Sequence, residues 1–527
     1  MIYEMVIDSN RVGSGMGAPV TTSGKATEAP YVLAIDMGTS STRALIFDRL
    51  GIAVPETETQ LPYDVRTTAD GGVEIDPALL LKRTAECVDG AVAAAERRGI
   101  SLSMVAVSCF WHSLIGLDAA KRPVTPIFMW GDTRSRFAAA RIRSEIDVEV
   151  YRQECGVTVH SSYWPAKLRW LREDNPELFA GVARWTSAAD YLALIWQGVD
   201  HIALPMATGT GLLNIHSGDW SERALEMAGI ERSKLPPIIA RSEATMGLTD
   251  KWGVRWPALA GIPWYPGIGD GACANAGSGA VGRNRMALTL GTSGAVRAII
   301  DAPLGEPYQV PKDIWAYRLD DRHMVIGAAV SNGGNVSAWI ADLAGLQLND
   351  AALGPFERGE ADSHGLTILP FFSGERAPLW NDSVTAVVAG LTLASDAPRL
   401  LRAAMESVSI RLSMLYRLVE PQMREPCAVI ANGGALLSSQ AWQRMTCDAV
   451  GAPLTILEPT EETGARGAAV LALEAFGAIS AIDGGHDPVA GRPVLQPDPS
   501  QHERYLAAAE RQERLTAAMI ASGLWDR

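Results

Sequence analysis

The fold is decided by the stretch Tyr31-Val-Leu-Ala-Ile-Asp36-Met-Gly38-Thr39-Ser40-Ser41-Thr42-Arg43-Ala-Leu-Ile-Phe-Asp48, in which two apolar runs flank a short polar segment. The apolar runs predict two buried strands, and the glycine with its hydroxyl residues predicts a tight turn that joins them into a hairpin. Backbone N–H groups and hydroxyls in such a turn can bind phosphate oxygens. Asp36, at the end of the first strand, could hold a metal ion directly or through water. The alternative at this point is an ordinary hairpin with a polar turn.

The same layout recurs later, in Met286-Ala-Leu-Thr-Leu-Gly291-Thr292-Ser293-Gly294-Ala-Val-Arg-Ala-Ile-Ile300. An apolar strand again leads into a glycine and hydroxyl turn, and a second apolar strand follows. This weak internal repeat predicts two related α/β halves, an N-terminal domain over residues 31–280 and a C-terminal domain over residues 281–527. We expect a nucleotide to bind between them, with each half offering one turn to its phosphates.

Composition narrows the class of protein. The chain has 527 residues and a net charge of −14, which argues against a nucleic-acid partner because such a partner normally needs a basic face. Six cysteines are scattered without a CxxC pair, so zinc or disulfide frameworks are not expected and a reducing cytoplasm fits. No apolar run is long enough to predict a membrane span. Residues 1–30 lack the pattern of a secretory signal and are expected to be a disordered leader.

Hydrophobic periodicity predicts helices along the rest of the chain. One of them, Trp220–Ala228, is expected to be capped near Asp219. The predicted helices are Pro77–Arg98, Thr133–Ile146, Val148–Cys155, Pro165–Asn175, Ala188–Trp196, Trp220–Ala228, Leu400–Leu418, Ser439–Val450, a helix that ends at Phe476, and a final helix His502–Ala521 docked on the second half.

Aromatic and polar residues follow two predicted strands, at the ends where ligands bind in α/β sheets. Trp111 and His112 follow the strand Leu102–Phe110, and Trp130, Asp132 and Arg134 end and follow the strand Pro126–Trp130. These residues are therefore candidates to bind a ligand, because aromatic faces pack on apolar surfaces and Asp or Arg can bond polar groups. The alternatives are a core histidine for His112 and a structural ion pair between Arg134 and Asp132.

Common nucleotide-binding motifs are absent, including the P-loop pattern GxxxxGK[ST]. Instead, Asp36-Met-Gly38-Thr39-Ser40, Gly291-Thr292-Ser293 and Asn432-Gly433-Gly434 resemble the phosphate-1, phosphate-2 and adenosine motifs of the actin/hexokinase/Hsp70 ATPase superfamily. Gly269-Asp270-Gly271-Ala272 resembles the corresponding motif of the FGGY carbohydrate kinases. The resemblance extends from Tyr31 to Phe476. It implies an α/β fold with two ribonuclease-H-like (actin-like ATPase) domains around a central cleft for nucleotide and sugar.

The resemblance also implies roles for individual residues. Asp270 would be the general base that takes a proton from the sugar hydroxyl; from the residues alone, it could instead cap the helix that follows. ATP would be the phosphoryl donor, with Mg²⁺ held by Asp36 and Asp270. The residues expected to bind the sugar, by aromatic stacking or by bonds to hydroxyl groups, are Trp111, His112, Trp130, Asp132, Arg134 and Asp270. The expected nucleotide-binding residues are Gly38, Thr39, Ser40, Thr42, Arg43, Gly291, Thr292, Ser293, Gly433, Gly434 and Gln440. Gly467 is expected to serve the packing of a helix between the two halves.

Several stretches are similar to gluconokinases of this family: Trp111-His112-Ser113-Leu114-Ile115, Trp130-Gly-Asp132-Thr133-Arg134, Ala207-Thr208-Gly-Thr-Gly211-Leu-Leu-Asn214-Ile-His216 and Phe371-Phe-Ser-Gly374-Glu375-Arg376-Ala-Pro378. A gluconate carboxylate would need a cationic partner, which the sequence does not identify. His160 and Arg376 are weaker candidates for the sugar site, and a structural role is favoured for each. Xylulose and other ketose or polyol kinases remain alternatives, as does a sugar-independent ATPase or nucleotide-gated sensor. A small sugar or sugar acid is the expected partner, and a homodimer is possible.

Overall fold

Two α/β domains make up the fold, each built on a seven-stranded sheet. The computed structural model describes residues 27–458 and 462–525. Most of the predicted leader, residues 1–26, therefore lies outside the described residues, as does Glu461 at the start of the helix that ends at Phe476. Among the described helices, none has the length and apolar composition needed to cross a bilayer.

The predicted opening hairpin is confirmed and lies inside the first sheet. Asp36 is paired with Arg43 across the two antiparallel strands and lies beside Ser108 on a parallel neighbour. Ile268 also pairs with Ser108, so the strand before Asp270 ends at the same edge as Asp36. The strands in sheet order are Thr245–Met246, Pro263–Trp264, Leu102–Cys109, Tyr31–Met37, Ser41–Phe47 and Thr59–Pro62, with Ile268–Gly269 also pairing with Leu102–Cys109.

The second sheet repeats this arrangement, which confirms the internal repeat. Its hairpin joins Arg285–Leu290 to Gly294–Asp301, and the first of these strands pairs in parallel with Ala428–Asn432. The strands in sheet order are Trp315–Arg318, His323–Val330, Gly294–Asp301, Arg285–Leu290, Ala428–Asn432, Leu454–Ile456 and Val494–Leu495. Smaller sheets contain Arg66–Thr67, Val73–Ile75 and Ile127–Phe128; Ile115–Leu117 and Arg184–Thr186; Ile202–Ala203 and Ile238–Ile239; Leu213–Asn214 and Asp219–Trp220; and Thr367–Leu369 and Val387–Ala389.

All ten predicted helices are present; Pro77–Arg98 and Val148–Cys155 have the predicted ends, and most of the others have ends shifted by a few residues. The α-helices are Pro77–Arg98, Arg136–Glu145, Val148–Cys155, Trp164–Asp174, Pro176–Gly181, Ala188–Gln197, Leu204–Ala207, Glu222–Ala228, Asp250–Arg255, Asp270–Gly277, Gly334–Leu343, Ala397–Val419, Gly434–Leu437, Gln440–Val450, Thr463–Phe476 and Pro499–Ala521. The predicted cap at Asp219 is wrong: Ser221 caps its helix, because its hydroxyl accepts a hydrogen bond from the Ala224 N–H at 3.1 Å. The final helix docks on the second domain, where Gln512 Nε2 donates to the Ile368 carbonyl at 2.9 Å.

Glycines allow two helices to pack closely at the domain junction. These are Asp270–Gly277 and Thr463–Phe476. A Cβ atom at Gly467 would lie 1.7 Å from the Cys273 carbonyl oxygen, and one at Gly277 would lie 1.9 Å from the Thr463 carbonyl oxygen. The predicted packing role of Gly467 therefore fits the structure, and this contact fixes the helix that begins with Asp270.

Candidate active site

A pocket lies between the two domains, where the predicted catalytic and phosphate-binding residues meet. The N-terminal domain contributes Thr39, Trp111, His112, Trp130, Ser162, Tyr163 and Asp270. The C-terminal domain contributes Ser293, Arg297, Trp315, Tyr317, Ala329, Arg376 and Trp380. One residue of each hairpin turn thus lines the same pocket as Asp270.

Asp270 begins its helix directly after the short strand Ile268–Gly269. Its Oδ1 atom accepts a hydrogen bond from the Gly271 N–H at 2.8 Å, but the N-cap position belongs to Gly269, so Asp270 is not the helix cap. Burial raises the pKa of the Asp270 carboxyl, an effect that nearby Arg297 opposes and that Asp36 reinforces. A carboxylate whose pKa is raised in this way is suited to accept a proton from a hydroxyl group.

The indole of Trp111 packs against the backbone beneath Asp270. A Cβ atom at Gly269 would lie only 1.8 Å from Trp111 Cε2, so glycine is required there. Trp111 Nε1 donates to the Pro205 carbonyl at 2.7 Å, and its ring meets the Tyr317 ring edge-on at 4.9 Å. Trp111 therefore forms a rigid aromatic wall of the pocket.

His112 lines the pocket and is also fixed by a hydrogen bond to the backbone. Its Nδ1 atom lies 2.6 Å from the Gly209 carbonyl oxygen, and burial lowers the pKa of the imidazole to about 3. The ring is thus neutral, and because Nδ1 faces a carbonyl it carries the proton, which leaves Nε2 as an acceptor. An acceptor that faces the pocket can receive a hydrogen bond from a sugar hydroxyl.

Asp132 and Arg134, both predicted to bind sugar, bind each other instead and do not line the pocket. Arg134 Nε lies 3.1 Å from Asp132 Oδ1, and Arg134 Nη2 lies 2.9 Å from Glu74 Oε2. The Arg134 guanidinium also stacks on Trp170, with its carbon 4.8 Å from the ring centre. This placement fits the structural ion pair that the sequence left open as an alternative.

Lys167 holds the two segments that carry Trp111, His112 and Trp130. Its Nζ atom donates to the carbonyls of His112 at 3.1 Å and Met129 at 2.7 Å. The side chain is buried, and burial lowers the pKa of its ammonium group to about 7. Lys167 was not among the predicted site residues, since a lysine at a helical position gives no sign that its amine holds two distant loops.

Trp130 connects the pocket with the turn of the first hairpin. Its Nε1 atom donates to the Thr39 hydroxyl at 3.3 Å. Within the turns, the Gly38 N–H donates to the Ser41 carbonyl at 2.9 Å, and the Gly291 N–H donates to the Ser293 carbonyl at 3.0 Å. The other predicted phosphate-binding residues, Ser40 and Thr292, belong to the same two turns.

The second phosphate turn is supported by a loop that the sequence analysis did not identify. The Gly333 N–H donates to the Thr292 carbonyl at 3.0 Å, and the Gly334 N–H donates to the Gly291 carbonyl at 2.8 Å. Gly334 begins the helix Gly334–Leu343. The adjacent glycines Gly333 and Gly334, at the start of a helix, were the sequence signal for this supporting loop.

The two glycines of the predicted adenosine motif have different surroundings. Gly433 has a φ of +103°, and a Cβ atom there would lie 2.4 Å from the Leu290 carbonyl oxygen, so the backbone passes tightly beside the strand. A Cβ atom at Gly434 or Gly291 would meet no atom within 4 Å. The backbone at these two glycines therefore borders open space. Gln440, in contrast, lines a separate recess with Asp350 and Arg444.

Two predicted phosphate ligands on the second hairpin strand have different surroundings. Thr42 is fully buried, and its hydroxyl has no hydrogen-bond partner among the described residues. Arg43 pairs with Glu462 and Glu58, and its Nε atom lies 3.9 Å from Asp36 Oδ2. Arg43 would have to exchange at least one carboxylate partner for a phosphate in order to bind nucleotide.

Asp36 and Asp270 form the acidic part of the cleft. Burial raises the pKa of Asp36, while the Ser108 hydroxyl and Arg43 lower it. No group of three or more His, Cys, Asp or Glu side chains suited to a metal is present in the described part of the chain. Two carboxylates still fit Mg²⁺, which is usually held by one or two carboxylates together with substrate phosphates and water.

The pocket includes Arg297, Tyr163 and Tyr317, which the sequence did not single out, and Arg376, for which it favoured a structural role. Arg297 lies on the strand Gly294–Asp301, and Arg376 Nη2 donates to the Val330 carbonyl at 2.8 Å. The hydroxyls of Tyr163 and Tyr317 lie 2.7 Å apart across the domain boundary. An arginine within the otherwise apolar run Ala-Val-Arg-Ala-Ile-Ile was a signal for Arg297, because such a charge needs a special reason to be buried.

Two repeated domains whose hairpin turns face one cleft, with an aspartate beside them, define an actin-like ATPase fold with a phosphotransfer site. A family model for the N-terminal domain of the FGGY family of carbohydrate kinases matches residues 31–277, and the C-terminal domain model matches residues 286–476. The chain belongs to this family. It is therefore a carbohydrate kinase, a phosphotransferase with an alcohol group as acceptor, and kinases of this family use ATP as phosphoryl donor.

Similar proteins include kinases for more than one sugar. The chain is 30% identical to a gluconokinase of Bacillus subtilis (strain 168), over 86% of this chain and 89% of that protein. It is 25% identical to a xylulose kinase of the same organism, over 85% and 88% respectively. The crystal structure of gluconate kinase from Lactobacillus acidophilus matches with a TM-score of 0.84 and 24% identity, covering 93% of this chain and 98% of that one; this likeness shows the fold alone.

Proposed function

We propose that this kinase phosphorylates a sugar acid, most specifically D-gluconate at O6 to give 6-phosphogluconate. The observation that carries the proposal is the presence of two arginines, Arg297 and Arg376, in the same pocket as Asp270. The similarity to a gluconokinase adds support. Xylulose kinases are also similar, so an uncharged ketose is the competing substrate.

The charges around the pocket favour an anionic substrate. Burial lowers the pKa of both Arg297 and Arg376, which means that each guanidinium is placed at a cost in solvation. Glu375, beside Arg376 in the sequence, already has Arg411 Nη2 at 3.2 Å from its Oε2. A substrate carboxylate would provide the missing negative charge and could form paired hydrogen bonds with a guanidinium. A neutral sugar would leave the second arginine without such compensation.

Asp270 acts as the base in the proposed reaction. It accepts the proton of the primary hydroxyl while that oxygen bonds to the γ-phosphorus of ATP. The bond from this phosphorus to the bridging oxygen breaks, and ADP leaves with the electron pair. Transfers of this kind depend mainly on positioning and on neutralising charge. Nε2 of neutral His112 accepts a hydrogen bond from a substrate hydroxyl. Trp111 and Trp130 enclose the carbon chain of the substrate.

The two hairpin turns hold the phosphates in this proposal. Gly38, Thr39 and Ser40 face them from one domain, and Gly291, Thr292 and Ser293 from the other. Gly433 and Gly434 accommodate the adenosine end. Asp36 and Asp270 would hold Mg²⁺, which when bound would neutralise phosphate charge.

A panel of acceptors tests the proposal. ADP release is measured by a coupled assay with gluconate, xylulose, ribulose, glycerol and erythritol, each over a range of concentrations. The expected result is the highest kcat/KM with gluconate. A strong preference for xylulose would reject the sugar-acid assignment and retain the kinase, whereas ADP release that does not depend on any sugar would indicate an ATPase.

A further inference from the structure

A loop of the C-terminal domain, residues 374–383, reaches the N-terminal domain beside the sugar pocket. It carries two pocket residues, Arg376 and Trp380, and it includes Asp382 near its end. Nε2 of His160, which belongs to the N-terminal domain, lies 3.0 Å from Oδ1 of Asp382. The two side chains are only 4% and 8% exposed. The loop is thus attached across the domain boundary by a buried pair.

The loop is compact, so its attachment and its pocket residues are linked. The Glu375 N–H donates to the Asn381 carbonyl at 3.0 Å, and the Asn381 N–H donates to the Glu375 carbonyl at 2.9 Å. Arg376 and Trp380 lie inside the closed turn, and Asp382 follows it directly. A displacement of Asp382 would therefore move both pocket residues.

Trp380 has a backbone conformation that needs external support. Its φ is +48°, a left-handed value that bulky residues rarely adopt because it is strained. The indole packs edge-on against the His160 ring, with 5.5 Å between centroids. His160 thus contacts both Trp380 and Asp382, and this contact comes from the opposite domain.

The charge of Asp382 is matched by groups of the N-terminal domain. Burial alone would raise the pKa of Asp382, but His160, Ser161 and Arg143 together hold it below its ordinary value. Arg143 is itself fixed by a hydrogen bond from Nη1 to the Val159 carbonyl at 3.0 Å. If the domains separated at this point, a carboxylate that is now compensated would lose these partners.

We propose that His160 and Asp382 are positioning residues that form a cross-domain latch. The latch holds Arg376 and Trp380 over the sugar pocket, so the affinity for sugar depends on contact between the domains at this point. Neither residue needs to touch ATP or the reacting atoms. The proposal rests on the carbohydrate kinase activity and does not depend on which sugar is the substrate.

A double-mutant cycle tests the latch. His160→Ala, Asp382→Ala and the double variant are compared with wild type, using the best acceptor of the sugar panel. Each single variant is expected to raise the KM for sugar about tenfold, within the range of measured coupling between contacting residues. The KM for ATP should change less than about twofold, and the double variant should be no worse than either single one. His160→Gln, whose amide can donate to Asp382, should recover much of the sugar affinity.

Asp320→Asn is a matched control, because Asp320 also forms a buried cross-domain ion pair. Arg241 Nη2 lies 2.7 Å from its Oδ2 atom, and neither residue lines the sugar pocket. This variant should lower thermal stability and leave the KM for sugar unchanged. Unchanged sugar KM in both latch variants, additive effects in the double variant, or an equal rise in KM for Asp320→Asn would each overturn the proposal.

Discussion

The guanidinium carbon of Arg376 lies 5.0 Å from the centre of the Trp130 ring, and the two residues come from opposite domains. This stacking and the hydrogen bond to the Val330 carbonyl fix the plane of the guanidinium. Its buried Nε atom has no hydrogen-bond partner within the described residues. A planar cation with a fixed orientation and a free donor is suited to recognise a carboxylate.

Replacement of this arginine by lysine should therefore impair the use of a sugar acid. Arg376→Lys keeps a positive charge but loses the planar donor pair, so we expect kcat/KM for gluconate to fall about ten- to a hundredfold. The ratio of gluconate to xylulose activity in the coupled assay is the measurement. Arg136→Lys is the control, because Arg136 also stacks on an aromatic ring, that of Phe137, but lies outside the pocket. An equal loss with both sugars would contradict carboxylate recognition by Arg376.

The sequence predicted the two sheets better than the set of residues that line the pocket. The hairpins were accessible because local patterns, apolar runs broken by glycine and hydroxyl residues, determine them, whereas the role of Asp270 stays a prediction from the family resemblance. The hairpin formed by Trp315–Arg318 and His323–Val330 was not predicted, although it brings Tyr317 into the pocket. Whether a polar residue faces a ligand or a neighbour depends on tertiary partners, and Glu74 is distant in sequence from the Arg134 that it binds.

Asp270→Asn should abolish most turnover while the fold and nucleotide binding remain. An asparagine oxygen can still accept the hydrogen bond from the Gly271 N–H, but the amide cannot take a proton from the sugar. We expect kcat to fall about 10²- to 10⁴-fold, the usual contribution of a general base. Calorimetric titration with ADP measures nucleotide affinity independently of turnover. Turnover close to wild type would remove Asp270 from the role of base.

Acidic pH should inactivate the enzyme, and the pH at which activity falls should depend on Arg297. Asp270 must be ionised to act as a base, so activity falls as the pH drops through its pKa in the folded enzyme. Burial raises that pKa and Arg297 opposes the rise. Loss of this cation in Arg297→Met should raise the pKa further, and the acid limb of kcat/KM should move to higher pH.

The position of the limb, and not the height of the profile, is the diagnostic quantity, because Arg297→Met is also expected to weaken binding of a sugar acid. Arg376→Met is the matched comparison: it removes a second pocket cation that has less influence on Asp270. Arg376→Met should lower kcat/KM for a sugar acid at every pH, and it should displace the acid limb less than Arg297→Met does. A limb that stays in place in Arg297→Met would show that another group controls the acidic inactivation.

Two glycine substitutions should separate packing from nucleotide binding. A methyl group at Gly467 would collide with the Cys273 carbonyl, so the helices Asp270–Gly277 and Thr463–Phe476 would have to move apart. Gly467→Ala should therefore lower the free energy of unfolding by about 1–3 kcal/mol, as overpacking of a core does. It should also lower kcat, because the helix that shifts carries Asp270 at its first position. Denaturant unfolding and steady-state kinetics are the measurements.

Gly434→Ala, in contrast to Gly467→Ala, should preserve stability and weaken nucleotide binding. Apart from its own stretch of helix, the added methyl group meets no atom within 4 Å, so the stability should remain close to that of wild type. The methyl group would instead project into the space that we assign to adenosine, and the KM for ATP should rise about tenfold with little change in the KM for sugar. Loss of stability in Gly434→Ala, or an unchanged KM for ATP, would show that this space does not receive the nucleotide.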